Sequence, residues 1–127
     1  LRKELQDTMD KNAQVYRTEA SLKESLAKIA ELRERYQHIS IQDQGARFNT
    51  DLLEAVEMGF LLDLAEVLAY TALERKESRG GHFREDYPER DDKKFMLHSM
   101  AYKNGDKIKL GWKPVTVTNY QPMERKY

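Results

Sequence analysis

The 127-residue sequence contains no cysteine, and this absence excludes several kinds of chemistry. Disulfide bonds, thiolate nucleophiles and thiolate-bound zinc or iron–sulfur clusters all need that side chain. Long hydrophobic runs are missing too, because no stretch approaches the about 20 apolar residues of a membrane-spanning helix. No signal-peptide pattern opens the chain, and Leu1 already lies in a helical pattern. We expect a fragment of a longer protein.

An excess of charge of either sign is also missing. The chain has 22 basic and 22 acidic residues, so a nucleic-acid-binding module is the weakest hypothesis, and salt-dependent DNA retention would be needed to revive it. Proline and glycine are few, at three and six residues, whereas charged residues make up 35% and hydrophobic residues 39%. This composition favours one small, helix-rich domain without repeats.

Two amphipathic helices are predicted before residue 38. The apolar stripe of the first is Leu1, Leu5, Met9 and Ala13, and that of the second is Leu22, Leu26, Ile29, Leu32 or Arg33, and Tyr36. We expect the first helix to end near Val15-Tyr16-Arg17. Thr18 is the expected N-cap of the second, with Glu19 in its first turn. The stretch 38–48 breaks the period and is predicted to be a connection.

A third, central helix is predicted over 49–76, roughly 40 Å long at 1.5 Å per residue. Asn49, Thr50 or Asp51 can cap it. Its expected apolar face comprises Leu53, Val56, Phe60, Leu64, Val67, Leu68 and Thr71. Gly59 indicates a close helix crossing, and Gly80-Gly81 is the expected C-cap, with Lys76 and Arg79 placed near the negative end of the helix dipole.

The period changes to two after residue 95. Asn104-Gly105 predicts a type I′ hairpin between strands at 100–102 and 108–112, and a proline-bracketed tail follows at 114–123. The predicted fold class is mainly α: a three-helix antiparallel bundle followed by a small β-hairpin and an extended C-terminal arm. Within a single domain of residues 1–127, the bundle spans 1–79, a charged loop 80–95, and the hairpin and tail 96–127.

Charge is concentrated at the junction after the third helix. Fourteen of the residues from 74 to 94 are charged, seven of each sign. This balance argues against a phosphate-binding patch, which needs excess Lys and Arg, and favours alternating ion pairs or a surface that docks on another charged surface. Asp91 or Asp92 is expected to begin a short helical turn there.

The histidine and the arginines of the junction each have a functional and a structural interpretation. His82 can serve as a proton relay or an anion contact, but no nucleophile or partner base is near it in sequence, so hydrogen bonding within a loop is favoured. The arginines can clamp a dicarboxylate, yet the neighbouring carboxylates are numerous enough to pair with them. His38 and His98 lack metal-ligand spacing. Nucleotide-binding glycine motifs are absent, and the residues alone indicate no catalytic, cofactor or metal site.

A long motif occupies the same junction. It reads Arg75-Lys76-Glu77-Ser78-Arg79-Gly80-Gly81-His82, continued by Arg84, Asp86, Pro88, Arg90, Asp91 and Asp92. It closely resembles a segment in the C-terminal domain of the flavoprotein subunit of succinate dehydrogenase and fumarate reductase. Further similarities lie at Val15-Tyr16-Arg17-Thr18, Asn49-Thr50-Asp51-Leu52, Phe95, His98-Ser99-Met100-Ala101-Tyr102, Lys113-Pro114-Val115 and the Glu124-Arg125-Lys126-Tyr127 ending. Gly81 departs from the family, in which many members have Ala, but a small residue is retained.

The resemblance implies an oxidoreductase that interconverts succinate and fumarate at FAD in its full-length form. Electrons would pass to an iron–sulfur subunit and on to quinone, at the cytoplasmic face of a bacterial or archaeal membrane, without direct membrane insertion. FAD and the catalytic residues would belong to the preceding flavin-binding and capping domains, so the fragment alone is expected to hold no cofactor and to be inactive. Residues expected to dock on those domains and on the iron–sulfur subunit are Arg75, Arg79, His82, Arg84, Asp86, Arg90 and Asp91.

Two alternatives remain open at the level of sequence. One is the C-terminal domain of a related flavoprotein such as L-aspartate oxidase, which shares a Ser-Arg-Gly-type motif. The other is a stand-alone helical adaptor, which requires a natural start at or near Leu1. In the favoured interpretation, an apolar docking surface is expected on one side of the 49–76 helix or on the 114–123 arm.

Overall fold

The computed structural model describes residues 1–42 and 44–124, so Arg125, Lys126 and Tyr127 of the C-terminal motif lie outside it. In chain order the elements are α1 (Arg2–Asn12), β1 (Tyr16–Arg17), α2 (Glu19–Tyr36), α3 (Thr50–Glu74), β2 (Phe83–Arg84), β3 (Leu97–Asn104) and β4 (Lys107–Pro114). The predicted helix-dominated class with three helices is confirmed. Two small sheets complete the described part of the chain: β1 pairs with β2, and β3 with β4.

The start of α2 follows directly from its sequence. Thr18 is the N-cap, and its side chain accepts a hydrogen bond from the Ser21 amide at 3.1 Å. The Ser21 hydroxyl accepts one from the Thr18 amide at 3.0 Å, which completes a reciprocal capping box. Glu19 lies in the first turn, where its charge favours the helix dipole. The predicted cap is therefore confirmed.

The third helix begins as predicted but ends early. Of the three candidate caps, Asn49 acts as the N-cap, accepting a hydrogen bond from the Leu52 amide at 3.0 Å. The last helical residue is Glu74, and Arg75 adopts an extended conformation. The prediction of a Gly80-Gly81 C-cap is wrong, and Lys76 and Arg79, which were expected near the C-terminus of the helix, lie beyond its last residue. A guanidinium group from a distant residue, described below, occupies the last carbonyl groups instead.

The three helices enclose a small apolar core. Its main cluster is Leu5, Ile29, Leu32, Met58, Leu62, Ala65 and Ala69, and a second cluster joins Ala13, Leu22 and Ala72. Tyr36 donates a hydrogen bond to the Ala55 carbonyl, and Arg33 pairs with Asp63 at 2.8 Å. These contacts place later residues of α3 beside earlier residues of α2, so the two helices run in opposite directions.

The buried face of α3 is not the predicted one. The chain buries Met58, Leu62, Ala65, Ala69 and Ala72 of this helix. The expected stripe of Leu53, Val56, Phe60, Leu64 and Leu68 is 43–66% exposed. Helix α3 is therefore apolar on two sides, and within this chain the side rich in small residues packs against α2, because small side chains allow a close approach.

The hairpin is confirmed, but its turn differs from the prediction. Strands β3 and β4 pair antiparallel from Leu97↔Pro114 to Asn104↔Lys107. The two central turn residues are thus Gly105 and Asp106, and Gly105 alone has a positive φ, of 62°. Type I′ requires positive φ at both positions, whereas type II′ has glycine at the first. The type I′ prediction is wrong, because Asn104 still belongs to the strand.

The sequence did not indicate the other sheet. Strand β1 runs parallel to β2, with Tyr16 opposite Phe83 and Arg17 opposite Arg84. The Phe83 amide donates to the Val15 carbonyl at 3.1 Å, and the rings of Tyr16 and Phe83 meet edge to face at 5.6 Å. This two-residue pair brings the charged junction against the turn between α1 and α2.

Candidate docking site at the charged junction

Arg84 is the centre of the charged junction, here defined as residues 75–92. Its side chain is fully buried, and its guanidinium donates hydrogen bonds to the carbonyls of Ala72 at 3.1 Å and Leu73 at 2.8 Å. These carbonyls belong to the last turn of α3 and have no partner within the helix. Arg84 therefore caps α3 from outside, and its positive charge lies at the negative end of the helix dipole.

Asp86 extends this cap to a second helix. Both of its carboxylate oxygens accept hydrogen bonds from Arg84 at 2.8 Å, and one also accepts the backbone amide of Glu19 at 3.0 Å. The hydrogen bonds from Arg84 hold the pKa of Asp86 at about 2, below its usual value of 3.8. The Arg84–Asp86 pair thus connects the C-terminus of α3 to the N-terminus of α2, with each charge at the end that its sign favours.

Glu77 is the acceptor at the other end of the junction. Its side chain is fully buried and accepts from Arg79 at 2.9 Å and from the Asp91 amide at 2.8 Å. Arg75 donates to the same carboxylate. Asp91 in turn accepts the amides of residues 93 and 94, which begins the predicted short turn. The Glu77 carboxylate therefore fixes the course of the loop through hydrogen bonds from three residues.

Arg75 ties the hairpin to the end of α3. Its guanidinium lies 5.7 Å from the Phe95 ring centroid and 5.5 Å from that of Trp112, which are cation–π distances. It also donates to the carbonyls of Phe95 and Leu97 and to the Ser99 hydroxyl. The planar guanidinium therefore binds carbonyl groups near the start of β3 while it stacks on the Trp112 ring of β4. A Lys side chain would not reproduce both contacts.

His82 lies between two elements. Its Nδ1 is 2.9 Å from Arg17 Nη1, and its Nε2 is 3.0 Å from the Arg75 carbonyl. Burial lowers the pKa of its imidazole below 6.5. The Ser78 hydroxyl, by contrast, donates to the Tyr87 carbonyl at 2.8 Å and accepts from the Arg84 amide at 2.9 Å, so it stabilises the loop.

The predicted site residues are thus brought together, but mostly facing inward. Arg75, Arg79 and Arg84 all have carboxylate partners inside the junction, and Arg90 pairs with Asp92 at 2.9 Å. The guanidinium groups are consequently not free to clamp a dicarboxylate. Among residues 1–42 and 44–124, no three His, Asp or Glu side chains form a group able to hold a metal ion. None of the helices in those same ranges is long and apolar enough to cross a bilayer.

A second surface, the α3 ridge, lies outside the junction. We define it as Phe48 together with Leu53, Val56, Phe60, Leu64 and Leu68. Phe48 is 97% exposed and has a φ of 49°, a conformation that bulky residues rarely adopt. Phe48 was predicted to lie in the 38–48 connection and was not assigned to a surface. The signal was its position just before the Asn49 cap, from which an apolar residue can pair with one in the first turns of the helix.

The exposed C-terminal arm adds apolar groups elsewhere. Val117, Tyr120 and Met123 are 38%, 87% and 80% exposed. Arg90 holds the arm by donating to the Met123 carbonyl at 3.2 Å. The arm is therefore tied back to the junction while its side chains remain open.

Comparisons with known proteins identify the family of the chain. A family model described as "Fumarate reductase flavoprotein C-term" matches residues 2–127. The fumarate reductase flavoprotein subunit of Haemophilus influenzae is 43% identical over 128 residues, covering 100% of this chain. The succinate dehydrogenase flavoprotein subunit of Rickettsia bellii is 45% identical over 119 residues and 93% of the chain. The chain spans 21% and 20% of those relatives.

A solved structure of E. coli quinol fumarate reductase has the same fold. It superposes with a TM-score of 0.87 at 38% identity, covering 92% of this chain and 20% of the other. Fold and sequence therefore agree over nearly the whole length. The chain belongs to the family of C-terminal domains of fumarate reductase and succinate dehydrogenase flavoprotein subunits.

Proposed function

We propose that this chain is the docking and supporting domain of a flavoprotein subunit that interconverts succinate and fumarate at FAD. The full-length protein passes electrons to an iron–sulfur subunit and then to quinone. It lies at the cytoplasmic face of the membrane, held there by its partner subunits. The names of the relatives support the reaction, and the chain's 20–21% share of their length supports a part without its own redox centre.

The observation that carries the docking role is the α3 ridge. Five side chains 43–66% exposed, headed by an almost fully exposed Phe48, form an apolar face on a chain in which 35% of residues are charged. A contiguous apolar face of this kind marks an interaction site. Its occupant is the remaining four fifths of the same subunit, in particular the flavin-binding and capping domains.

We infer that the residues described by the structure do not form an FAD site. A dinucleotide site needs a glycine-rich turn whose amides open a helix toward the phosphates. Here Gly80-Gly81 lie in a tight turn between Arg79 and His82, whose backbones bond each other, and the helix beside them ends rather than begins. The flavin pocket is therefore assigned to the domains outside this chain.

The charged junction complements the ridge. We infer that Arg75, Arg79, His82 and Arg84 hold its shape from within. Its rim, which includes Asp86, Arg90 and Asp91, contacts the neighbouring domains and the iron–sulfur subunit. The three helices then act as one antiparallel bundle that sets the angle between ridge and junction. The arm 114–123 lies along a partner surface, either a neighbouring domain or the iron–sulfur subunit.

Introduction of negative charge on the ridge tests this role in the full-length subunit. We expect the double variant Phe60→Glu, Leu64→Glu to lose bound flavin and subunit assembly, because two carboxylates would be buried without partners. The fraction that retains FAD should keep its affinity for succinate. Flavin absorbance per subunit and succinate titration provide the two readouts.

The matched control is Ala30→Glu, which adds a carboxylate at an exposed position of α2. It should leave flavin content and assembly unchanged. Full flavin content and assembly in the ridge variant would overturn the docking role.

A further inference from the structure

We propose that His82 is a pH-sensitive latch. With a neutral imidazole it fastens the β1–β2 strand pair to the end of α3, and when the ring takes up a proton the fastening is released. The charged junction is then held firmly near neutral pH and loosened by mild acid.

The hydrogen bonds of His82 define one protonation state. Arg17 can only donate, so the Nδ1 atom 2.9 Å from its guanidinium must be an acceptor with no hydrogen. The Arg75 carbonyl can only accept, so the Nε2 atom 3.0 Å from it carries the hydrogen. A protonated ring has hydrogens on both nitrogens and therefore cannot keep the contact with Arg17.

The charges around the ring act in the same direction. Burial is the largest influence that lowers the pKa of His82 below 6.5, while its hydrogen bond to the Arg75 carbonyl acts the opposite way. The guanidinium groups of Arg17 on β1, Arg84 on β2 and Arg75 at the end of α3 lower it further. The nearby carboxylates, Asp86 and Glu77, are hydrogen bonded to Arg84 and to Arg75, not to the imidazole.

The latch acts beside the Arg84–Asp86 bridge, which already connects β2 to the ends of α3 and α2. Strand β1 meets β2 through only two residue pairs, with the Phe83 amide donating to Val15 and the Glu85 amide to Arg17. Arg17 also donates to the carbonyl of Ala13 at the end of α1. His82 therefore connects the α1–α2 turn to the end of α3 across β2, and its release loosens β1 from β2 while Arg84 still holds β2 to α3.

The direction of the pH effect follows from linkage. Because the folded pKa is depressed, the open form binds the proton more readily than the closed form. The latch is complete above pH 6.5 and weakens as the pH falls from 6.5 to the folded pKa. The loss is about tenfold in the closing equilibrium for each pH unit in that window.

NMR on the 127-residue chain tests the latch. Nitrogen chemical shifts of the His82 ring should report the Nε2–H tautomer at neutral pH and a titration midpoint below 6.5. Hydrogen-exchange protection of the Phe83 and Glu85 amides, corrected for intrinsic rates, should fall with the same midpoint. In His82→Gln the protection should no longer depend on pH between 7 and 5.

The control is His98→Gln, because His98 is exposed on the hairpin. It should leave the pH dependence of both amides unchanged. A His82 midpoint at or above 6.5, or strand-pair protection that stays constant across the titration of the ring, would overturn the proposal. These readouts do not involve flavin or docking, so they separate the latch from the proposed function.

Discussion

Single residues of the charged junction carry more of the fold than their surface-like composition suggests. Arg84 is fully buried and caps α3 from β2, eleven residues beyond Leu73, while Asp86 neutralises it and caps α2. Sequence analysis identified both residues through the motif, and it favoured ion pairing over a ligand clamp. It could not predict the cap, because a guanidinium that reaches back over a loop leaves no periodic signal.

Asp86→Asn tests this bridge. The substitution leaves the buried Arg84 charge without a carboxylate and should lower the free energy of unfolding by about 2 kcal/mol at pH 7. The pKa of Asp86 is depressed from 3.8 to about 2, so its contribution is complete above pH 4 and disappears as the pH falls toward 2. Urea unfolding of both proteins should therefore converge at low pH. A stability difference that is constant from pH 7 to 2 would contradict the bridge.

Gly59 correctly predicted a close contact of α3, and the structure identifies the contacting group. Its position in mid-helix predicted a close crossing. A Cβ atom there would lie 2.9 Å from Tyr36 Oη, whose hydroxyl bonds the Ala55 carbonyl. The close contact is thus with a side chain from α2.

Gly59→Ala should destabilise the chain by about 1 kcal/mol, because the lost hydrogen bond and displaced ring outweigh the gain in helix propensity. In a Tyr36→Phe background, in which the hydroxyl is absent, the same substitution should be neutral or stabilising. Thermal unfolding of the four proteins of this cycle measures the coupling. Equal effects in both backgrounds would rule out the contact as the reason for glycine.

The N-caps of α2 and α3 were predicted correctly from the sequence, but the buried face of α3 was not. Thr18 and Asn49 cap their helices because capping depends on neighbours within three residues. The buried face of α3 was missed because Leu53, Phe60 and Leu64 are as apolar as the residues that do pack. Periodicity alone cannot decide which of two apolar faces of a helix packs within the chain.

The parallel pair of β1 and β2 illustrates a second limit. Two residues are too few to show alternation, and the partners are 67 residues apart. The hairpin turn lies at Gly105-Asp106, one residue later than the predicted Asn104-Gly105. An Asn-Gly sequence fits both positions, and only the pairing of the strands decides between them.

The contribution of the α2 cap to stability can be tested by mutation. Thr18→Ala removes the acceptor for the Ser21 amide and should cost about 1 kcal/mol of stability, seen as a lower midpoint in urea. Thr116→Ala in the exposed arm is the control and should be silent. An equal loss of stability in both variants would mean that the Thr18–Ser21 capping box does not stabilise α2.

The chain as a whole combines an internal ion-pair network with exposed apolar surfaces, and we propose that other domains of the same subunit cover these surfaces. Arg79 links Glu77 to Asp92 and so holds the two ends of the junction loop together. We expect Arg79→Ala in the full-length subunit to reduce flavin retention or assembly more than it reduces affinity for succinate. Flavin content measured beside a succinate titration distinguishes these effects, and a selective loss of succinate affinity would favour a substrate-binding role instead.

The most direct measurement is reconstitution from two pieces. The remaining part of the subunit is co-expressed with this chain, with its Phe60→Glu, Leu64→Glu variant, or alone, and flavin content and succinate-dependent reduction are measured. We predict a flavin-loaded, active complex only with the unaltered chain. A remaining part that binds FAD and reacts with succinate equally well without this chain would contradict the account.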